Sequence, residues 1–227
     1  MIFQDPFGSL NPVHTIYHHI ARPLLIHKRA EKEAVPNLVY ELLEMVGLTP
    51  VKETAEKYPH ELSGGQRQRV AIARAIAVSP EVILADEPIS MLDVSVRLGI
   101  LNLMADLKDK HGISFMYITH DIATARYFAE KTAVMYVGHM VEWGNSDNVT
   151  QNPQHPYSQL LLSAVPEVGK SGKRDMNVKK GDIPSWKPSS IGCPFASRCL
   201  KADKLCTQSI PEPTQIAEEH FARCHHL

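Results

Sequence analysis

At 227 residues the chain is long enough for one large domain or for a domain with an appendage. Apolar residues make up 44% and charged residues 22%, and Lys+Arg 24 against Asp+Glu 25 leaves a net charge of -1, which exerts no global pull on nucleic acid. The start carries no basic-then-apolar leader and no apolar run approaches the about 18 residues of a spanning helix, so a soluble or peripheral, cytoplasmic chain is expected.

The opening, Gln4-Asp5-Pro6-Phe7-Gly8-Ser9-Leu10-Asn11-Pro12, is rich in turn formers and reads as a loop with little room for a strand before it. A helical region follows, with Leu38, Leu42, Leu43 and Val46 on one stripe and Gly47 as its stop. After a break at Tyr58-Pro59-His60 comes Glu61-Leu62-Ser63-Gly64-Gly65-Gln66-Arg67-Gln68-Arg69, which opens a helix running towards Ser79. Ser63 suits the N-cap, and Gln66 three residues later has the capping-box spacing. Two glycines between them clear side chains from the positive helix end, which predicts a phosphate site. Val70, Ala73, Ile76 and Ala77 form the apolar face, and Ser79-Pro80 ends the helix.

Val82-Ile83-Leu84-Ala85, closed by Asp86-Glu87-Pro88, reads as a short strand buried on both faces of a parallel sheet. A helix from Val94 to Lys110 stops at Gly112, and Ser114 to Thr119 makes a second buried strand ending at His120-Asp121. A helix from Ile122 to Ala129 leads to Ala133–Val137 and Met140–Trp143, which read as a hairpin about Gly138-His139. Strand–helix–strand alternation predicts an α/β fold with a largely parallel sheet. After Gly144 the chain turns proline-rich and carries all four cysteines, with a short helix from Tyr157 to Ala164 and a basic, polar linker from Gly169 to Gly181.

Asp86 and Glu87 fall at the carboxyl end of a strand, where open α/β sheets place their ligands. Adjacent carboxylates there can divide the work of phosphoryl transfer, one holding Mg²⁺ and the other polarising the attacking water. His120, at the end of the next strand, addresses the same edge. Taken singly, each has a plainer reading as a solvated turn or a structural histidine. Cys193, Cys199, Cys206 and Cys224 form C-x5-C-x6-C-x17-C, which is not a zinc-ribbon spacing; a shared metal site and free buried thiols both remain open, with His220, His225 and His226 as substitute ligands.

These residues resemble the nucleotide-binding subunits of ABC transporters. Leu62-Ser63-Gly64-Gly65-Gln66 is similar to the signature motif, Val82 to Glu87 to the Walker B strand, Ser90-Met91-Leu92-Asp93 to the D-loop with Met91 where Ala is usual, His120 to the switch histidine and Gln4 to the Q-loop glutamine. Gln4-Asp5-Pro6, Ser9-Leu10-Asn11-Pro12, His155-Pro156-Tyr157 and the cysteine tail resemble the oligopeptide/dipeptide importer branch, which also takes up nickel or oligosaccharides in some relatives.

The resemblance implies an incomplete P-loop NTPase (RecA-like) parallel sheet with an α-helical subdomain and a Cys-containing C-terminal extension. Its parts would be residues 1–66 (Q-loop and helical subdomain), 67–144 (core remainder) and 145–227 (extension). It implies ATP and Mg²⁺ as cofactors, with Glu87, His120 and Gln4 catalytic, Gln4 and Asp86 also at Mg²⁺, and Asp93 in the D-loop. Ser63, Gly64, Gly65 and Gln66 would act in trans on ATP held by a second ATPase subunit in a head-to-tail dimer. Two membrane permease subunits, an extracytoplasmic solute-binding protein and the cytoplasmic face of the membrane complete the expected setting. In this branch the tail can carry a [4Fe–4S] cluster, which the resemblance favours over Zn²⁺ at Cys193, Cys199, Cys206 and Cys224.

One departure matters. The Walker A loop, G-x-x-x-x-G-K-[ST], should lie well before the Q-loop, and the only near match is Ala164-Val165-Pro166-Glu167-Val168-Gly169-Lys170-Ser171. It lacks the first glycine, contains a proline and follows Walker B, so it is rejected. The chain is expected to be a fragment, a wrong start or a degenerate subunit, inactive alone. A non-transport ABC ATPase and a non-catalytic dimerisation module are the alternatives, and the transported solute is not written in these residues.

Overall fold

A computed structural model describes residues 1–164, 185–187 and 189–227. The expected linker Gly169–Gly181 and all but the first residue of the Ala164–Ser171 stretch lie outside them. The chain forms two compact units, Met1–His120 and Asp121–Leu227. The boundary expected at 144/145 therefore falls inside the second unit, within a strand.

The first unit begins with helices α1 (Ile16–Ile26), α2 (Val35–Met45), α3 (Val51–Glu56) and α4 (Gly64–Ile76), the last entered through a 3₁₀ turn at Pro59–Glu61. Thr15 caps α1 by accepting the His18 N–H at 3.3 Å. Ile16, Ile20 and Leu24 from α1, Val35, Val39 and Leu43 from α2, and Val70, Ala73 and Ile76 from α4 are buried. Each of the Val, Leu and Ile side chains among them contributes about 1.5–3 kcal/mol by leaving water. The α2 stripe differs from the expected one: Leu38 and Leu42 are only half-buried, because the helix starts at Val35 and its four-residue row passes through Val39 and Leu43.

Strand β1 (Val82–Asp86) and strand β2 (Ser114–Ile118) flank helix α5 (Val94–His111) in the chain and pair in parallel, from Val82 opposite Ser114 to Asp86 opposite Ile118. Ile2 forms a parallel bridge with Ala85, so the chain start supplies a strand position where none was expected. Neither strand is buried on both faces. Ile83 and Ala85 are buried while Val82 is 59%, Leu84 44%, Met116 58% and Ile118 45% exposed. Alternate side chains of a strand point to opposite faces, and among the described residues only one face is covered.

The second unit holds α6 (Ile122–Phe128), β3 (Lys131–Tyr136), β4 (His139–Asn145), α7 (Ser146–Gln151), α8 (Pro156–Ser163), α9 (Lys204–Gln208), β5 (Thr214–Ala217) and β6 (His220–Ala222). Its four-stranded sheet runs β3-β4-β6-β5 with every pair antiparallel. The expected hairpin is β3–β4, turning at Val137 and Gly138, both with positive φ. The tail adds two strands that its prolines had hidden. Gly144 is required where β4 meets β6, because a Cβ there would run into the Glu219 carbonyl. Val134, Tyr136, Val141, Val149, Phe195 and Cys199 form the core, with Phe195 edge-on to Tyr136 at 5.3 Å.

Candidate active site and tail cluster

Three parallel segments end at one sheet edge, and each delivers a polar residue to it. Ile2 donates to Leu84 O at 2.8 Å and accepts from Asp86 N at 2.9 Å, which fixes the start of the chain beside β1 and places Gln4 just beyond. Glu87 follows β1 and His120 follows β2. The Gln4 amide donates to Glu87 Oε2 at 3.1 Å, and His120 Nδ1 lies 3.0 Å from Glu87 Oε1. One carboxylate thus joins residues 83 and 33 positions away in sequence. Its side chain is 24% exposed and that of His120 74%, so the group is reachable by a ligand. Asp86 closes β1 at the same edge.

Glu87 stands at φ +43, a left-handed conformation that side chains avoid. Its N–H donates to Ile118 O at 2.9 Å, and its carbonyl accepts from Ser90 N at 3.1 Å and Ser90 Oγ at 3.0 Å. Strain of about 1–3 kcal/mol is held in place by these bonds. The segment beyond is braced by Arg97, which donates to Leu92 O at 2.8 Å and Ser90 O at 3.4 Å, and leads to Asp93, the exposed N-cap of α5.

The N-terminus of α4 forms the expected capping box: Ser63 Oγ accepts from Gln66 N at 3.3 Å, and Gln66 Oε1 accepts from Ser63 N at 2.9 Å. The box uses the Gln66 N–H, leaving those of Gly64 and Gly65 outside it at the positive helix end. Gly65 has a steric reason as well, since a Cβ there would clash with Val96 Cγ1 of α5. Gly64 has none, its Cβ position being in ordinary contact with Leu92 at 3.6 Å.

Sequence reasoning missed the arginines that hold α4. Arg67 donates to Pro59 O, Arg69 to Val46 O and Arg74 to Ser9 O, each at 2.6 Å, and the Arg67 guanidinium lies 4.2 Å from the Phe7 ring centroid. They tie α4 to its entry turn, to the end of α2 and to the loop after Gln4. In sequence they look like the solvated face of an amphipathic helix.

In the second unit Cys193, Cys199, Cys206 and Cys224 are free thiols. Burial raises the pKa of Cys193, opposed by a backbone hydrogen bond at Phe195 and helped by Cys206, Cys224 and Cys199. Burial likewise raises Cys206 and Cys224. Cys193 N donates to Cys206 O at 2.7 Å and His226 N to Cys224 Sγ at 3.4 Å. Among the described residues a different ligand set comes together: Asp203, Cys206 and His226 have ligand atoms within 4.8 Å of one another. Of the substitute ligands, His226 joins that set. His220 instead sits 2.7 Å from the buried Glu142, and His225 meets Ser209 O at 3.1 Å. Asp203 was missed because a lone exposed aspartate among lysines carries no signal.

The fold is that of an ATP-binding cassette. A dimeric post-hydrolysis cassette, MJ0796 bound to ADP and Pi, matches with a TM-score of 0.55 and 33% identity over 64% of this chain and 62% of that one. The cbiO1 subunit of a Clostridium perfringens ABC transporter complex matches with 0.59 and 27% over 66% and 58%. The ABC transporter family matches residues 1–90, and the oligopeptide/dipeptide transporter C-terminal region matches 141–206. The oligopeptide transport ATP-binding protein AppF of Bacillus subtilis is 44% identical over 99% of this chain and 68% of its own length. The dipeptide transport ATP-binding protein DppF is 40% identical in Haemophilus influenzae, over 100% of this chain and 69% of its own, and 42% in Escherichia coli, over 93% and 63%. The chain belongs to the ATP-binding proteins of ABC transporters, ATPases coupled to transport, in the oligopeptide/dipeptide branch. It spans about two thirds of the length of these curated relatives and 62% and 58% of the two structures.

Proposed function

We propose that residues 1–227 are the hydrolytic and partner-facing part of an ATP-binding subunit in a peptide importer, seated on the cytoplasmic face of the membrane against two permease subunits. The supporting observation is the joint hold of Gln4 and His120 on the Glu87 carboxylate. With nucleotide bound, Gln4 and Asp86 would hold Mg²⁺, Glu87 would polarise the attacking water and His120 would meet the γ-phosphate. Ser63, Gly64, Gly65 and Gln66 bind nucleotide held by a second ATPase subunit, with Asp93 beside that junction. These residues contain no G-x-x-x-x-G-K-[ST] loop, so they cannot cradle their own ATP, and the purified chain is expected to hydrolyse it little or not at all. Among the described residues no helix is long and apolar enough to cross a membrane, in keeping with a peripheral seat.

The test is co-expression with an intact cassette subunit and the two permeases. Retention on the permeases and ATP-dependent association through α4, lost in Ser63→Arg, support the reading. Robust Mg²⁺-ATPase activity from residues 1–227 alone, abolished by Glu87→Gln, overturns the division of labour. For the tail, the four free cysteines of the second unit are read as ligands of a [4Fe–4S] cluster on Cys193, Cys199, Cys206 and Cys224, which would cross-link α9 to the chain end through thiolate ligation. Zn²⁺ on Asp203, Cys206 and His226 is the second reading, favoured by their mutual distances. Iron with acid-labile sulfide, zinc, or neither in anaerobically purified protein decides among cluster, zinc and free thiols.

A further inference from the structure

Of the polar side chains on α4, Gln66 is held in the capping box, Arg67 by Pro59 O, Arg69 by Val46 O and Arg74 by Ser9 O. Gln68 is the exception. It is fully buried, and among the described residues neither its Nε2 nor its Oε1 has a hydrogen-bond partner. An unpaired amide in the interior costs stability that an apolar side chain of the same shape would not. Packing alone therefore gives no reason for a glutamine at this position.

The place of Gln68 on the helix shows what it addresses. A helix turns about 100° per residue, which sets Gln68 about 40° from Gly64 and about 60° from Gly65 around α4, between the two. Gly64 faces Leu92 and Phe7, which lie 3.6 and 3.9 Å from the position its Cβ would take, and Gly65 faces Val96. Gln68 is thus directed between Leu92 and Val96, and helical side chains lean towards the amino end, which carries the amide back towards the Gly64 turn. The segment it meets, residues 90–93, is held unevenly. Arg97 donates to Leu92 O at 2.8 Å but to Ser90 O only at 3.4 Å, beyond the usual range of about 2.7–3.2 Å. A backbone acceptor there is loosely engaged.

We propose that Gln68 is a positioning residue for nucleotide bound in trans, an inference that rests on the reading of Ser63 to Gln66 given above. When ATP held by a second subunit seats on the amino end of α4, residues 90–93 close onto α4 and the Gln68 amide gains a backbone partner there. The cost of the unpaired amide is borne by the nucleotide-free arrangement and relieved in the closed one, so it biases the chain towards closing. Seating of the nucleotide and fixing of Asp93 are thereby coupled through one side chain that touches neither.

The experiment uses Gln68→Met, which keeps the length of the side chain and removes both polar atoms, with Gln68→Leu as a second apolar variant. In the full chain without nucleotide, the urea midpoint is expected to rise in Gln68→Met. A midpoint that stays or falls in both variants would mean that the amide is already paired, as by a buried water, and overturns the proposal. With an intact cassette subunit, half-maximal association of Gln68→Met is expected to need about tenfold more ATP than wild type. Hydrogen exchange at residues 90–93, slowed by association in the wild type, should stay fast in the variant. A merely structural glutamine would move the urea midpoint and neither of these. An unchanged ATP requirement, or residues 90–93 protected as in the wild type, overturns the role of Gln68 and leaves the trans reading standing. No ATP-dependent association of the wild type overturns both.

Discussion

Glu87 in the first unit and Glu142 in the second each meet a histidine, at 3.0 Å from His120 and 2.7 Å from His220. Their surroundings differ. Glu142 is fully buried, and besides His220 it accepts the N–H groups of Gln154 at 2.8 Å and His155 at 2.9 Å. It thereby ties β4, β6 and the turn into α8 together. Glu87 is partly exposed and held by two side chains that can let go. A carboxylate saturated by fixed donors in the interior is a structural joint, while one held loosely at a strand end can be lent to a ligand.

Glu142→Leu should have the largest effect. It strands the buried His220 and two backbone N–H groups, at a cost of about 3–5 kcal/mol of unfolding free energy, with Glu142→Gln losing less. Urea unfolding reads this directly, and Glu87→Leu is the control. If the two leucine variants lose equal stability, the contrast between the carboxylates collapses.

His155 comes next. Burial pushes its imidazole down from 6.5 to about 4, against a raising contribution from Glu142. Between those values the unfolded chain binds more protons than the native one, so stability rises with pH and is lost as pH falls from 6.5 towards 4. At about 1.4 kcal/mol per pH unit the loss reaches about 3 kcal/mol at pH 4. His155 also caps α8 by accepting the Tyr157 N–H at 3.0 Å. Asparagine can keep such a cap without titrating, so His155→Asn should flatten that part of the pH profile. An unchanged slope would mean that His155 is not the group responsible.

Gly65→Ala is expected to cost about 1–3 kcal/mol by driving a methyl into Val96, and Val96→Ala should recover most of it. If ATP-dependent association fails in the double variant although stability returns, the glycine serves ligand access as well as packing. That outcome would place the α4 terminus with Glu87 on the functional side of the comparison.

The proposed site in the first unit was the more legible in sequence, for a physical reason. Gln4, Glu87 and His120 each follow a strand or strand stub, and parallel strands bring their carboxyl ends to one edge whatever lies between them. The capping box at Ser63 and Gln66 is local and needs no tertiary knowledge. Glu142 and His220 are 78 residues apart, and a glutamate in a hairpin strand reads as a solvent-facing residue until β6 covers it. The exposed faces of Leu84 and Met116 were misread for the converse reason: an apolar run reports that a strand wants cover, not that cover is present.

The smallest stability effect probes the comparison most finely. A non-glycine residue in the left-handed region costs about 1–2 kcal/mol, and glycine adds about 0.5–1 kcal/mol of unfolded-state entropy. Glu87, at φ +43, pays the first cost, and its two exposed contacts return little. Glu87→Gly should therefore leave the chain as stable as before or up to about 1 kcal/mol more so, while turnover of the assembled ATPase falls about 10²–10⁴-fold. Glu142→Gly, with no positive φ to relieve, can only lose. A loss above about 1 kcal/mol in Glu87→Gly would show that the Gln4–Glu87–His120 contacts hold the fold as the Glu142 cluster does, and that the strained backbone is kept for stability instead of for chemistry.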